Sequence, residues 1–151
     1  MKLKKVISGG QTGADRAGLE EASRLGLKTG GHAPRGFRTE FGNDPSLEAF
    51  GLVETASSDY PSRTRLNVEN SEVTVWFGTL GSPGYKLTKK YARELSKPLY
   101  ENPDAELMVM LADLYEVWNV AGNRISKYPR VDQLVRTAFE ALAGGNHEAL
   151  T

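Results

Sequence analysis

Lys5-Val6-Ile7-Ser8-Gly9-Gly10-Gln11-Thr12-Gly13-Ala14-Asp15-Arg16-Ala17-Gly18-Leu19-Glu20-Glu21-Ala22-Ser23-Arg24-Leu25-Gly26 is the stretch that decides the fold. Val6-Ile7 is a short apolar run stopped by Gly9-Gly10, the pattern of a buried strand. A helical period follows, with Ala14, Ala17, Gly18, Ala22 and Leu25 on one face. These residues are mostly small, so the helix can lie close to the strands beneath it. Gly26 suits the left-handed position just past a helix end. A strand, a glycine turn and a close-lying helix form the opening unit of a parallel α/β sheet.

The same alternation continues outward from this unit. Between Lys28 and Phe50 the pattern dissolves, and a long functional loop with one short strand at His32-Ala33 is expected there. Gly51–Thr55 reads as a short edge strand, and Tyr60–Asn70 as a helix with Arg63 and Asn67 on one face. Val73–Phe77 is the clearest buried strand. A helix carrying Leu87, Tyr91, Ala92 and Leu95 is expected to begin near Lys86 to Thr88. Pro98–Tyr100 predicts a strand, Asp104–Asp113 a helix capped by Asp104, and Val117–Ala121 the last strand. A helix holding Val131, Leu134, Val135, Ala138 and Leu142 closes the pattern. The expected architecture is α/β: a Rossmann-like parallel sheet with helices on both faces, one domain over residues 1–151, with 144–151 as a frayed tail.

Composition narrows the function. The chain has 151 residues, with Lys+Arg and Asp+Glu both at 19, so no global basic field recruits nucleic acid. The absence of Cys removes disulfides, thiolate metal sites and cysteine nucleophiles. Two dispersed His add no metal site. No apolar run approaches the roughly 20 residues of a membrane span. The basic N-terminal residues run straight into the glycine turn without an apolar signal segment, so a cytoplasmic protein is expected.

Ligands of open parallel sheets bind beyond the carboxyl ends of the strands. Three strand-to-helix junctions there are rich in glycine and polar residues: Gly9 to Asp15, Gly78 to Thr88, and Asn119 to Lys127. Gly9, Gly10 and Gly13, with Gln11 and Thr12, read as an anion cradle at a helix N-terminus. The pattern is neither the dinucleotide fingerprint nor a P-loop, whose Lys-Ser/Thr pair is missing. Thr12 and Asp15 fit a capping box, and Asp15 is equally a candidate carboxylate for acid/base work. In the second junction Gly78, Ser82, Gly84 and Thr88 are candidates, the two hydroxyls also suiting helix caps. In the third, Asn119, Gly122, Arg124 and Lys127 are candidates, the Asn suited to a heterocycle edge. Asn123 reads as a turn former or a second such amide. Among the cations, Arg63 and Arg124 are the favoured phosphate contacts. Asn67, and His32 and Arg35 in the long loop, complete the candidate ligand-binding set. No metal ligands are expected.

Four segments together resemble a known family: Ile7–Asp15, Gly31–Gly36, Tyr60–Val68 and Asn119–Lys127 are similar to the molybdenum cofactor carrier family. That family is related to the Rossmann-like lysine-decarboxylase-like proteins and phosphoribohydrolases. The resemblance spans residues 5 to 143. It implies a homodimer or homotetramer that holds molybdenum cofactor (molybdopterin), or a related nucleotide, as its phosphorylated small-molecule partner. The cofactor's phosphate suits a helix N-terminus and its pterin suits Asn and backbone amides. The phosphoribohydrolase relatives carry a Pro-Gly-Gly-x-Gly-Thr-x-x-Glu motif. Here Pro83-Gly84 and Thr88 remain, but Tyr91 stands where the catalytic Glu is expected. Binding is therefore favoured over turnover. The alternative is a nucleotide-processing hydrolase, N-glycosidic or phosphate-ester, using Asp15 or Glu40 at the same site.

Overall fold

The computed structural model describes residues 1–150, with side chains described through residue 143. The tail expected at 144–151 lies outside the fully described residues. Eight strands and five helices follow in order: β1 (Lys5–Ile7), α1 (Ala14–Arg24), β2 (Lys28–Ala33), β3 (Arg38–Thr39), β4 (Gly42–Asn43), a 3-10 helix (Pro45–Phe50), β5 (Leu52–Glu54), α2 (Tyr60–Glu69), β6 (Val73–Phe77), α3 (Pro83–Glu94), β7 (Leu99–Glu101), α4 (Ala105–Leu114), β8 (Val117–Gly122) and α5 (Val131–Leu150). Six strands make one sheet in the order β5-β2-β1-β8-β6-β7, every pairing parallel. The expected Rossmann-like α/β sheet is the observed fold. Among the described residues, no helix is long and apolar enough to cross a membrane.

The strand order has one unusual feature. β8, the last strand, lies in the middle of the sheet between β1 and β6. If β8 and α5 were moved to the front of the chain, successive strands would run outward on one side and then on the other, the doubly wound pattern.

The helices divide between the faces. α1 and α4 both pack on α5, whereas α2 packs on α3. On the α1/α4/α5 side, Val6, Val75, Phe77, Trp118 and Val120 meet Leu111, Val135 and Phe139 in the main core. Trp118 and Phe139 touch edge to face with centroids 6.0 Å apart, a favoured aromatic geometry. Gly18 lets α1 approach closely: a Cβ there would stand 2.7 Å from Val120. β6 is buried along its whole length, as an inner parallel strand covered on both faces should be. Asn119, between Trp118 and Val120, points to the opposite face by the strand's period of two.

Between residues 28 and 50 the expected strand at His32-Ala33 is present as the end of β2, but the rest of the stretch is not the long loop expected. This stretch holds the six-residue strand β2, the β3–β4 hairpin and the 3-10 helix. Lys28-Thr29-Gly30-Gly31-His32-Ala33 has no apolar run, yet it is extended because β1 and β5 pair with it from either side. Tertiary pairing overrides propensity here. The 3-10 helix supplies Leu47, which joins Leu19, Ala33 and Leu52 in a second small core. α3 also begins earlier than expected, at Pro83, because the Ser82 hydroxyl caps it by accepting from the Tyr85 N–H. Pro at the first helical position suits that start.

Candidate functional site

A cavity of about 680 Å³ opens between α2 and α3, above the carboxyl ends of β8 and β6. It lies where the helices following adjacent strands pass to opposite faces, the switch point at which such sheets hold ligands. Its volume falls within the range typical of small-molecule sites. All three junctions named from the sequence contribute to it. Gly9, Gln11 and Asp15 come from the first, Thr79, Ser82, Pro83, Gly84 and Thr88 from the second, and Asn119 to Arg124 with Lys127 from the third. α2 adds Tyr60, Arg63, Thr64 and Asn67, and Trp76 and Leu87 complete the wall.

The first glycine loop is organised around its own protein rather than around open space. A Cβ on Gly9 would stand 1.8 Å from an Arg63 Nη1, so this glycine makes room for a guanidinium. Gly10, at φ +74°, faces Leu47 and Leu52. Gly13, at φ +86°, lies against the Asn123 carbonyl and the Ile125 amide. The loop's amides are also occupied. The Gly10 N–H donates to Ser8 Oγ, the Gln11 N–H to Asp15 Oδ2, the Thr12 N–H to Gln11 Oε1 and the Ala14 N–H to the Asn123 carbonyl. Of the expected anion cradle, Gly10, Thr12 and Gly13 lie behind the cavity wall, whereas Gly9 and Gln11 border the cavity together with the capped start of α3.

The expected capping box is also absent. Gly13 takes the N-cap position of α1, without a side-chain cap. Thr12 turns away, donating its hydroxyl to Glu40 and accepting from the Ile125 N–H at 3.2 Å. Asp15 reaches back to the Gln11 N–H, one residue beyond the box partner, at 3.3 Å.

Asp15 and Arg63 form a buried ion pair on the cavity wall, Arg63 Nη1 donating to Asp15 Oδ2 at 3.0 Å. Burial raises the Asp15 pKa above the ordinary carboxylate value, and the Arg63 charge and the Gln11 N–H offset only part of this. The Arg63 Nε is buried without a partner, and its guanidinium lies over the Tyr60 ring at 5.3 Å. Gln11 is oriented unambiguously, because its Oε1 accepts from the N–H groups of Thr12 (3.0 Å) and Glu40 (2.9 Å). Its Nε2 is thereby left for the cavity side.

The remaining candidates separate cleanly. Asn67 lines the cavity, but its amide is spent on the backbone of His32, accepting from the N–H at 2.8 Å and donating to the carbonyl at 3.0 Å. It thus extends the sheet past the end of β1. Asn102 does the same for Gly78 on the other side. His32 therefore serves through its backbone in β2 and does not line the cavity. Arg35 is exposed, its N–H held by the Ser57 carbonyl. Gly78 lies behind the wall, where a Cβ would meet Asn123 Oδ1 at 1.9 Å. Asn123 ties two junctions together by accepting from the Thr79 N–H at 2.6 Å. Thr88 sits inside α3, donating to the Gly84 carbonyl rather than capping the helix. Asn119 is buried on the floor, where its amide donates to Thr74 Oγ1 at 3.2 Å.

Tyr60, Thr64, Trp76, Thr79 and Leu87 were not candidates from sequence. Trp76 reads as core because it lies in an apolar run. Its position at the carboxyl end of β6 was the available signal. Among the described residues, no group of three or more His, Asp and Glu side chains could hold a metal ion.

Residues 6–143 match the circularly permutated YpsA SLOG family. The chain belongs to that family. A crystal structure of a "putative molybdenum carrier protein" from Syntrophus aciditrophicus SB is similar to this cpYpsA chain, with a TM-score of 0.81 at 33% identity over 93% of this chain and 94% of that one. No curated protein matches the chain.

Proposed function

We propose that this cpYpsA protein binds, and acts as a carrier for, a phosphate-bearing heterocycle, either molybdopterin or a related nucleotide, in the cavity between α2 and α3. One observation carries the reading: the cavity combines a largely apolar interior with a charge balance that favours an anion. Asp15 and Arg63 cancel each other within the wall, whereas Arg124 and Lys127 form no ion pair among the described residues, the Glu40 carboxylate acting on Arg124 only at longer range. A phosphate placed by these two cations and the start of α3 is favoured electrostatically. Trp76, Leu87 and Tyr60 offer apolar and aromatic surface to a ring, and the Gln11 and Asn119 amides offer hydrogen bonds to its edge. The donor set fits the organic part of molybdenum cofactor, the pterin and the phosphate. With no Cys in the chain, no thiolate is offered to the metal. The relative's printed name supports a carrier role.

The test is mass spectrometry of whatever co-purifies with the protein, followed by calorimetric titration of GMP, AMP and molybdopterin. Saturable binding that weakens in Arg124→Gln and Lys127→Gln is the expected result. No measurable affinity for any phosphorylated heterocycle would overturn the reading. A hydrolase is the second reading, favoured by the buried Asp15 carboxyl with its raised pKa at the cavity wall. The same panel, assayed for released base or phosphate, tests it.

A further inference from the structure

The β3–β4 hairpin reaches across the top of the sheet and places Glu40 on the junction between the first and third loops. The Glu40 carboxylate accepts hydrogen bonds from the Thr12 and Ser126 hydroxyls and from the Ser126 N–H at 3.3 Å. Its own N–H donates to Gln11 Oε1 at 2.9 Å, one of the two bonds that fix the Gln11 amide. Thr12 in turn accepts from the Ile125 N–H at 3.2 Å. Glu40 therefore fastens Gln11 through its backbone N–H and, through its side chain, the segment whose Arg124 and Lys127 flank Ser126. That segment has few backbone bonds of its own, chiefly the Lys127 and Tyr128 N–H groups to the Arg124 carbonyl at 3.0 and 3.2 Å.

We propose that Glu40, which does not line the cavity, is the positioning residue for its anion-binding end, holding the Arg124–Lys127 segment in its binding geometry through Thr12 and Ser126. The inference rests on the reading of the cavity as a phosphate-bearing ligand's site. Its physical basis is preorganisation. Long cationic side chains on a loosely tied loop lose more freedom on binding than those on a fastened one, and that loss comes directly off the affinity. Glu40 is suited to the task because an ionised carboxylate accepts on both oxygens, and the Arg124 charge lies close enough to favour its ionised form.

The Glu40 carboxylate thus acts at a distance on charge recognition, while its backbone N–H keeps Gln11 in place in every variant, and this separates the proposal from a general structural role. The experiment compares wild type, Glu40→Ala and Glu40→Gln for binding of GMP and of guanosine, with amide hydrogen exchange of the free proteins. Measured against Glu40→Gln, which removes the same charge beside Arg124, Glu40→Ala should weaken GMP about tenfold, the scale on which supporting partners of binding groups act. Guanosine should change less than about twofold, because it lacks the group these cations receive. Glu40→Gln keeps a carbonyl acceptor and an amide donor for the two hydroxyls and should restore most of the GMP affinity. Exchange should rise in residues 124–128 of Glu40→Ala and stay unchanged in α3. Equal weakening of GMP and guanosine, or unchanged GMP affinity, would overturn the proposal. If wild type binds no GMP, the ligand reading fails for this probe, and unaltered exchange in residues 124–128 would still overturn the positioning role.

Discussion

Replacing Arg63 by Met tests the buried pair at the cavity wall. The Arg63 side chain is 14% exposed and that of Asp15 4%, so the guanidinium works in a poorly solvated place. Met keeps much of the aliphatic stem over Gly9 but removes the charge. Asp15 is then left buried with the backbone N–H groups of Gln11 and Gly9 as its carboxylate's remaining partners. Breaking a buried pair from one side costs about 3–5 kcal/mol, a large part of the roughly 5–15 kcal/mol that holds a domain together. The pH dependence has a definite sign. The folded Asp15 pKa is already above the ordinary 3.8, burial being the main cause and Arg63 the main counterweight. Without Arg63 it moves further up. A carboxyl that holds its proton more tightly when folded weakens the fold above its folded pKa, and this penalty fades as the pH falls toward the unfolded value. Urea denaturation followed by tryptophan fluorescence should therefore show a larger loss at high pH than at low pH, with the gap to wild type shrinking as the pH falls toward the ordinary carboxylate value. The double variant Asp15→Asn/Arg63→Met buries no charge and keeps an acceptor for Gln11. It should return to within about 1 kcal/mol of wild type. A loss below about 1 kcal/mol in the single variant, or a double variant no better than it, would refute the reasoning.

Gly10→Val should cost about 2–4 kcal/mol, from a β-branched residue at φ +74° and from overpacking against Leu47 and Leu52. The protein that remains folded should keep its ligand affinity, which thermal melts and titration would check together. Asn67→Ala strips the His32 N–H and carbonyl of their partners and should cost about 1–3 kcal/mol. Exchange of the His32 amide should rise with it, and an unchanged amide would remove Asn67 from this role. Glu40 is held below the ordinary 4.5: burial pushes its pKa up, but the bonds from Ser126 and Thr12 and the Arg124 charge outweigh it. A carboxylate lowered in this way stabilises the fold above its unfolded pKa and loses that contribution as the pH falls through the folded one. The stability gap between wild type and Glu40→Gln should therefore narrow below pH 4.5 in acid titrations monitored by circular dichroism.

The fold was legible where hydrophobicity and pairing agree. Val73–Phe77 and Val117–Ala121 are inner strands, covered on both faces, and their apolar runs announce them. Only the His32-Ala33 end of β2 was legible, because Lys28 to Gly31 is extended through partners distant in sequence, β1 and β5, and the Asn67 side chain holds His32. At the site, the three polar junctions were readable from their place after strands. What fills the space at each glycine was not. A glycine reports that room is needed, and here the occupants are Arg63 at Gly9 and leucines at Gly10. The same limit applies to Asn67 and Asn119. Both line the cavity, yet only packing reveals that one amide is spent on a strand backbone and that the other shares Thr74.

The central seat of β8 bears on how the protein is made. β1 and β6 receive their shared neighbour only from residues Val117–Gly122, after every other strand has been synthesised. A nascent chain that stops short of Val117 has two half-sheets, each with an inner edge of unpaired amides and carbonyls, the kind of edge that recruits foreign strands. Completion of the sheet consequently waits until Val117–Gly122 has left the ribosome, and a chain truncated before β8 is expected to aggregate rather than to form a smaller working domain.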